Sequence, residues 1–169
     1  MTYFVLKRLF DIIFSLIGIV IFLPIMFLIA LWIKRDSTGP IIYRGKRSGI
    51  NCSVFFIYKF RTMVKDAEKG GFSTALKDPR LTRIGAFLRR YKLDELPQFF
   101  NILFGNMSFV GPRPQVLYYT NQYKGGELLI HQAKPGLTDL ATLYFTNMDA
   151  LLGNDDVQKK YQREVEPLK

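Results

Sequence analysis

Over 169 residues, 24 Lys and Arg against 14 Asp and Glu leave a net charge of +10, and 49% apolar types with 15% aromatics exclude a disordered chain and suit one domain with a modest core. Cys52 is the single cysteine and His131 the single histidine, which rules out an internal disulfide and a Cys/His zinc site and leaves Ser-His-Asp chemistry only one imidazole. A sequence pI near 9.8 favours a polyanionic partner, whether nucleic acid, an anionic membrane surface or a phosphorylated substrate.

From Ile12 to Ile33 no charged residue occurs. That run of roughly 22 residues would reach about 33 Å as a straight helix, long enough for a bilayer and longer than a signal-peptide core. Lys7 and Arg8 precede it and Lys34 and Arg35 follow it, so the positive charge that prefers the cytoplasmic side sits at both ends. Pro24, near the middle, removes a backbone donor and predicts a kink. A helix that enters, bends at Pro24 and returns to the same face satisfies both facts; a single-pass helix with a tolerated proline is the alternative.

After Asp36 the composition changes, and residues 36–169 are expected to form a cytoplasmic domain on a 1–35 membrane helix. Ile41-Ile42-Tyr43 and Val54-Phe55-Phe56-Ile57-Tyr58 flank the turn-like Ser48-Gly49-Ile50-Asn51, which predicts a two-stranded hairpin; little else resembles a strand. Ile84, Phe87, Leu88 and Tyr91 share one helical face, as do Leu96, Phe99, Phe100, Leu103 and Phe104, with Gly105 as a stop. The fold class is therefore α+β and helix-dominated. These Phe-rich amphipathic helices are expected to lie in the membrane interface rather than to fill a core. Basic residues gather between Arg61 and Lys92, including Lys65, Lys69, Lys77, Arg80, Arg83, Arg89 and Arg90, a cluster suited to headgroups, nucleic acid or phosphates.

Leu93-Asp94-Glu95-Leu96-Pro97-Gln98 is expected to begin a helix, with Asp94 as N-cap, Glu95 in the first turn and Pro97 where a missing donor costs little. The same placement suits catalysis, because a helix N-terminus stabilises an ionised carboxylate and leaves adjacent Asp and Glu free for two jobs. In Gly111-Pro112-Arg113-Pro114 two prolines hold the backbone extended, presenting the Arg113 guanidinium either to solvent or to a phosphate. Lys59-Phe60-Arg61-Thr62-Met63 is by itself a charged strand end.

Taken in order, Tyr58-Lys59-Phe60-Arg61-Thr62-Met63, Asp78-Pro79-Arg80-Leu81-Thr82, Leu93-Asp94-Glu95-Leu96-Pro97-Gln98 and Asn106-Met107-Ser108-Phe109-Val110-Gly111-Pro112-Arg113-Pro114 resemble the successive signatures of the bacterial sugar transferase family, the monotopic phosphoglycosyl transferases. The resemblance runs to about Pro135-Gly136-Leu137-Thr138. It implies transfer of a phosphosugar from a UDP-sugar to membrane polyprenyl (undecaprenyl) phosphate with release of UMP, at the bacterial cytoplasmic (inner) membrane, with the catalytic domain on the cytoplasmic face. It also implies the re-entrant helix and a Mg²⁺ cofactor. By motif, Asp94 matches the nucleophile and Glu95 the ligand or organiser of Mg²⁺. Arg113 and Arg89 match phosphate- or nucleotide-binding residues, while Lys59, Arg61 and Arg80 are further candidates for the phosphate-binding surface. The physical sequence is then ping-pong: the Asp94 carboxylate displaces UMP, and the lipid phosphate displaces Asp94.

Three departures stand out. Leu23 precedes Pro24 where relatives often carry Ser, Thr138-Asp139-Leu140-Ala141 replaces a common Thr-Gly-Leu-Ala, and the family's usual C-terminal end is expected to be missing after Lys169. The competing function class is a membrane-anchored basic binding module without catalysis. Nucleic acid is not expected as a partner, since no RNP-like aromatic pattern occurs.

Overall fold

A computed structural model describes residues 2–64, 67 and 78–139; the expectations for Lys65, Lys69, Lys77 and the residues after Asp139 lie outside them. The chain is a helix-rich α+β fold. It begins with α1 (Thr2–Asp36), whose helical backbone continues across Pro24, where the sequence predicted a kink. An antiparallel hairpin, β1 (Ile42–Ser48) and β2 (Val54–Phe60), pairs Ile42 with Phe60 and Ser48 with Val54. Then come α2 (Arg83–Arg90), α3 (Gln98–Leu103), β3 (Ser108–Val110), α4 (Leu117–Thr120) and β4 (Gly136–Thr138).

The hairpin forms where the β-branched and aromatic run indicated it, and its connection tightens through a 3-10 turn at Ile50–Cys52 with Asn51 and Cys52 at positive φ. A second sheet was not expected: β3 and β4 pair in parallel, Ser108 beside Gly136 and Val110 beside Thr138. Three-residue strands carry too few positions for alternation to register.

α1 buries a stripe of Asp11, Ser15, Gly18, Met26, Ile29 and Ile33, spaced by three, four or eight residues, and exposes most of its other large apolar side chains. The stripe follows the 3.6-residue period, so one face is docked along the domain nearly end to end. Near its start, Arg8 donates to the Ile102 and Leu103 carbonyls, both at 2.7 Å, and so satisfies the last turn of α3. Asp11 Oδ1 accepts from the Ser108 hydroxyl at 3.1 Å and the Phe109 N–H at 3.2 Å. At mid-length Gly18 faces the Phe99 ring, where a Cβ would sit 3.1 Å from its nearest atom, and Phe22 stacks on Phe99 at 5.9 Å. Toward the end, Met26, Ile29 and Ile33 join Phe60, Ile84 and Leu88 in one apolar cluster. Each such side chain taken fully out of water contributes about 1.5–3 kcal/mol.

α2 starts where Thr82, extended, accepts the Gly85 N–H on its hydroxyl at 2.9 Å, and it ends on Arg89 and Arg90, whose charges suit a helix C-terminus. Gly85 lies on the chain after β2; a Cβ there would meet the Thr62 carbonyl oxygen at 1.9 Å. Ile84 and Leu88 are buried as the periodicity required, whereas Phe87 and Tyr91 are exposed, with the Trp32 ring tilted against Phe87 at 5.5 Å between centroids. The second cluster, Phe55, Ile57, Ile102 and Met107, joins β2 to α3.

Candidate active site

Asp94 and Glu95 do not begin a helix. They occupy a 3-10 turn, Leu93–Glu95, entered through Lys92 in the left-handed region (φ 57°), and α3 starts only at Gln98. Asp94 is thus not an N-cap. Pro97 has no N–H to continue the ladder, so the chain passes from the turn into α3 through the Phe99 N–H to Leu96 carbonyl bond (3.2 Å) and the Phe100 N–H to Pro97 carbonyl bond (3.1 Å). Burial and neighbouring cations, rather than a helix end, act on the charge states of the pair.

Lys59, the penultimate residue of β2, supplies the nearest of them: its Nζ donates to Glu95 Oε1 at 2.7 Å. Arg113 Nη2 lies 3.5 Å from the same oxygen. Burial by itself would raise the Glu95 carboxyl, but Lys59 and then Arg113 outweigh it and hold it at about 2. Asp94 moves the opposite way. Burial raises its carboxyl above the usual carboxylate range, Lys59 only partly opposing and Glu95 adding to the rise, and its Oδ1 is buried without a hydrogen-bond partner. Burial lowers the Lys59 ammonium, against the pull of Glu95. Two adjacent carboxylates therefore have different chemistry: Glu95 is a fixed anion, and Asp94 is a more basic oxygen without a buried donor on Oδ1.

The other sequence candidates divide. Arg89 donates from Nε to Thr62 Oγ1 at 3.1 Å, and its charge reaches Asp94. Arg61 is turned away from the dyad: it donates to the Ser37 and Thr38 carbonyls and the Ser37 hydroxyl, tying β2 to the exit of α1. Arg80 forms a two-point pair with Asp78, Nε to Oδ1 at 2.9 Å and Nη2 to Oδ2 at 2.6 Å, and also donates to the Ala67 carbonyl. Both guanidiniums are engaged with the protein.

Arg113 is placed by two glycines. A Cβ on Gly111 would sit 2.2 Å from the Lys134 carbonyl oxygen, and one on Gly136 would sit 2.2 Å from Gly111 N. The chains cross that closely so that Gly136 N–H can donate to the Pro112 carbonyl and Gly111 N–H to the Thr138 carbonyl. Beyond Pro114, Gln115 accepts the Ser48 N–H at 3.1 Å, which fixes the loop to the end of β1.

Sequence reasoning missed the residue that brings these parts together. Asn101 in α3, fully buried, accepts the Tyr58 N–H at 2.9 Å and donates to the Phe56 carbonyl at 2.7 Å, so its amide occupies the outer edge of β2 as a further strand would. Lys59 is thereby held in register with Glu95. The available signal was an amide among Phe99, Phe100, Ile102 and Leu103.

The sequence model of the bacterial sugar transferase family matches residues 2–166. The chain is 40% identical over 166 residues to the UDP-glucose:undecaprenyl-phosphate glucose-1-phosphate transferase of Klebsiella pneumoniae, covering 96% of this chain and 35% of that protein. To the exopolysaccharide production protein PSS of Rhizobium leguminosarum bv. phaseoli it is 43% identical over 150 residues, 82% of this chain and 74% of that one. To the UDP-N-acetylgalactosamine-undecaprenyl-phosphate N-acetylgalactosaminephosphotransferase of Aeromonas hydrophila it is 38% identical over 143 residues, 82% of this chain and 34% of the relative. The chain spans about a third of the length of the Klebsiella and Aeromonas proteins.

Proposed function

The chain belongs to the bacterial sugar transferase family, and on that premise we propose that it transfers a sugar 1-phosphate from a UDP-sugar to a membrane polyprenyl phosphate, releasing UMP. What carries this is the contrast between Asp94, buried and raised, and Glu95, held ionised between Lys59 and Arg113. The relatives' activities on UDP-glucose and UDP-N-acetylgalactosamine support a UDP-sugar as donor and undecaprenyl phosphate as acceptor.

In the first step an Asp94 carboxylate oxygen bonds to the phosphorus that carries the sugar. The bond from that phosphorus to the bridging oxygen breaks, and the electron pair leaves with UMP. In the second, a polyprenyl phosphate oxygen attacks the same phosphorus, the bond to Asp94 breaks, and the carboxylate returns. Arg113, with its side chain 39% exposed, is open to a phosphate oxygen while resting against Glu95. Lys59 and, more weakly, Arg89 oppose the rise that burial imposes on the Asp94 carboxyl and so favour its ionised form.

Mg²⁺ usually takes one or two carboxylates and completes its shell with water and substrate phosphate oxygens. Asp94 and Glu95 fit that pattern, and among the described residues no larger cluster of metal-binding side chains occurs. Glu95 would hold the ion, which when bound offsets the charge of the diphosphate.

The docking of α1 supports a re-entrant placement on the cytoplasmic face of the inner membrane. α1 is long and apolar enough to cross a bilayer. Yet Asp11 binds the start of β3 and Ile33 packs beside α2, so both ends of the helix touch the same domain. A straight crossing would draw the polar edges of that domain into hydrocarbon. Exposed Trp32, Phe87, Tyr91 and Phe104 suit the headgroup boundary, where the acceptor's phosphate also lies.

The test is intact mass of the nanodisc-held chain with Mg²⁺ and a panel of UDP-sugars, without lipid acceptor. A phosphosugar adduct on Asp94 that disappears on adding polyprenyl phosphate is expected, and Asp94→Asn should give neither adduct nor UMP. Substantial UMP release by that variant would overturn the assignment.

A further inference from the structure

Among the described residues three buried side-chain atoms have no hydrogen-bond partner: Arg61 Nε, Asp94 Oδ1 and Gln98 Nε2. The first belongs to a guanidinium already held by Ser37 and Thr38. The other two, an acceptor and a donor, lie four positions apart in the segment that carries the dyad. Gln98 is 2% exposed, and its amide nitrogen is out of water altogether. The backbone sets both side chains on one face. Leu96 (φ −52°, ψ −39°) and Pro97 (φ −62°, ψ −13°) keep right-handed helical angles, so the winding of the 3-10 turn continues into α3. Asp94, Pro97, Gln98, Asn101 and Ile102 are buried along it, which is the period of a single helical face. Side chains four apart on such a face are neighbours.

One turn further on, Asn101 shows what a structural carboxamide does on this face: both of its ends are paired with the β2 backbone. The Gln98 nitrogen has no such partner. A buried donor left unpaired costs stability, and an apolar side chain of the same length would fill the space without that cost. Asp94, meanwhile, is influenced by cations that do not hold it in place. Lys59 Nζ donates to Glu95 and Arg89 Nε to Thr62, and both act on Asp94 through their charge. Charge favours an ionised carboxylate but does not aim it, and attack at phosphorus requires one oxygen in line with the leaving group.

We propose that Gln98 is a positioning residue for Asp94: as the donor substrate arrives, its Nε2 donates to Oδ1 and holds the carboxylate with Oδ2 facing the sugar-bearing phosphorus. The inference rests on the role of nucleophile proposed for Asp94 above. Oδ1 is an acceptor both in the carboxylate and in the acyl phosphate, so one hydrogen bond serves the attacking group and the intermediate alike. When the lipid phosphate displaces Asp94, negative charge returns to the carboxylate and the same donor stabilises it. Because Nε2 is buried beforehand, no water has to leave it at either step.

Gln98→Met, unbranched and of similar length, removes the donor and keeps the space filled. Rapid-quench measurement of adduct and UMP on the nanodisc-held full chain, with Mg²⁺ and the panel of UDP-sugars, is paired with thermal melts of wild type and variant. In Gln98→Met, adduct formation at saturating donor should fall about tenfold, the equivalent of one lost hydrogen bond, with the donor KM unchanged. Discharge of the adduct by polyprenyl phosphate should slow as well. The melting temperature should be no lower than that of the wild type, since no paired group has been removed. A merely structural amide gives the opposite pattern, an earlier melt with a wild-type rate per folded molecule. Adduct formation at the wild-type rate, a loss confined to KM, or a lowered melting temperature each overturns the positioning role, while UMP release by the wild type still upholds the transferase. A wild-type chain that releases UMP from no UDP-sugar of the panel overturns both.

Discussion

The Lys59 ammonium lies 2.7 Å from Glu95 Oε1, joining the end of β2 to the turn that carries the dyad. Lys59 is also the strongest of the charges opposing the upward shift that burial imposes on Asp94. Lys59→Met should therefore push the Asp94 carboxyl higher still. A nucleophile must be ionised, so the acid limb of UMP release should move to higher pH, with kcat reduced at neutrality. Steady-state rates from pH 4 to 8 on both proteins check this, and an unmoved limb would detach Lys59 from Asp94.

The same pair should mark stability in the reverse sense. Glu95 is held at about 2 in the folded chain against an ordinary 4.5, so the folded state binds fewer protons between those values. Its stabilisation is complete above about 4.5 and is lost as pH falls toward 2. The stability gap between wild type and Lys59→Met should accordingly narrow over that interval, measured by urea unfolding at a series of pH values.

Asn101 links α3 to the outer edge of β2 through two backbone partners. Asn101→Ala leaves the Tyr58 N–H and the Phe56 carbonyl without that amide and should cost about 1–3 kcal/mol per group stranded. Because Lys59 follows Tyr58, UMP release should fall too, even well below the melting temperature. Retained activity in a destabilised variant would show that β2 holds its register without the amide.

In the re-entrant arrangement both ends of α1 face one side of the membrane. With Cys52, exposed and free, replaced by Ser, single cysteines at Tyr3 and Arg35 should label from the same side of sealed vesicles with a membrane-impermeant maleimide. Labelling from opposite sides would establish a crossing helix.

By itself the sequence determined the local elements and the chemical inventory. Alternation and β-branching marked the hairpin, the spacing of Ile84 and Leu88 marked α2, the uncharged run marked α1, the flanking prolines drew attention to Arg113, and Asp94 and Glu95 stood out through the family's ordered motifs. These are short-range signals, set by sterics within a turn or two of chain. The tertiary structure decided which charges meet. Glu95 pairs with Lys59, 36 positions earlier, while Arg61, two residues along, is turned to the exit of α1. It also decided that Asp94 lies outside the helix that its motif seemed to start, that three-residue strands at 108 and 136 pair in parallel, and that Asp11 holds α1 to the start of β3. None of these has a local signature, because each depends on where the chain returns after a loop, and only close packing of α1, α3 and β2 fixes that return.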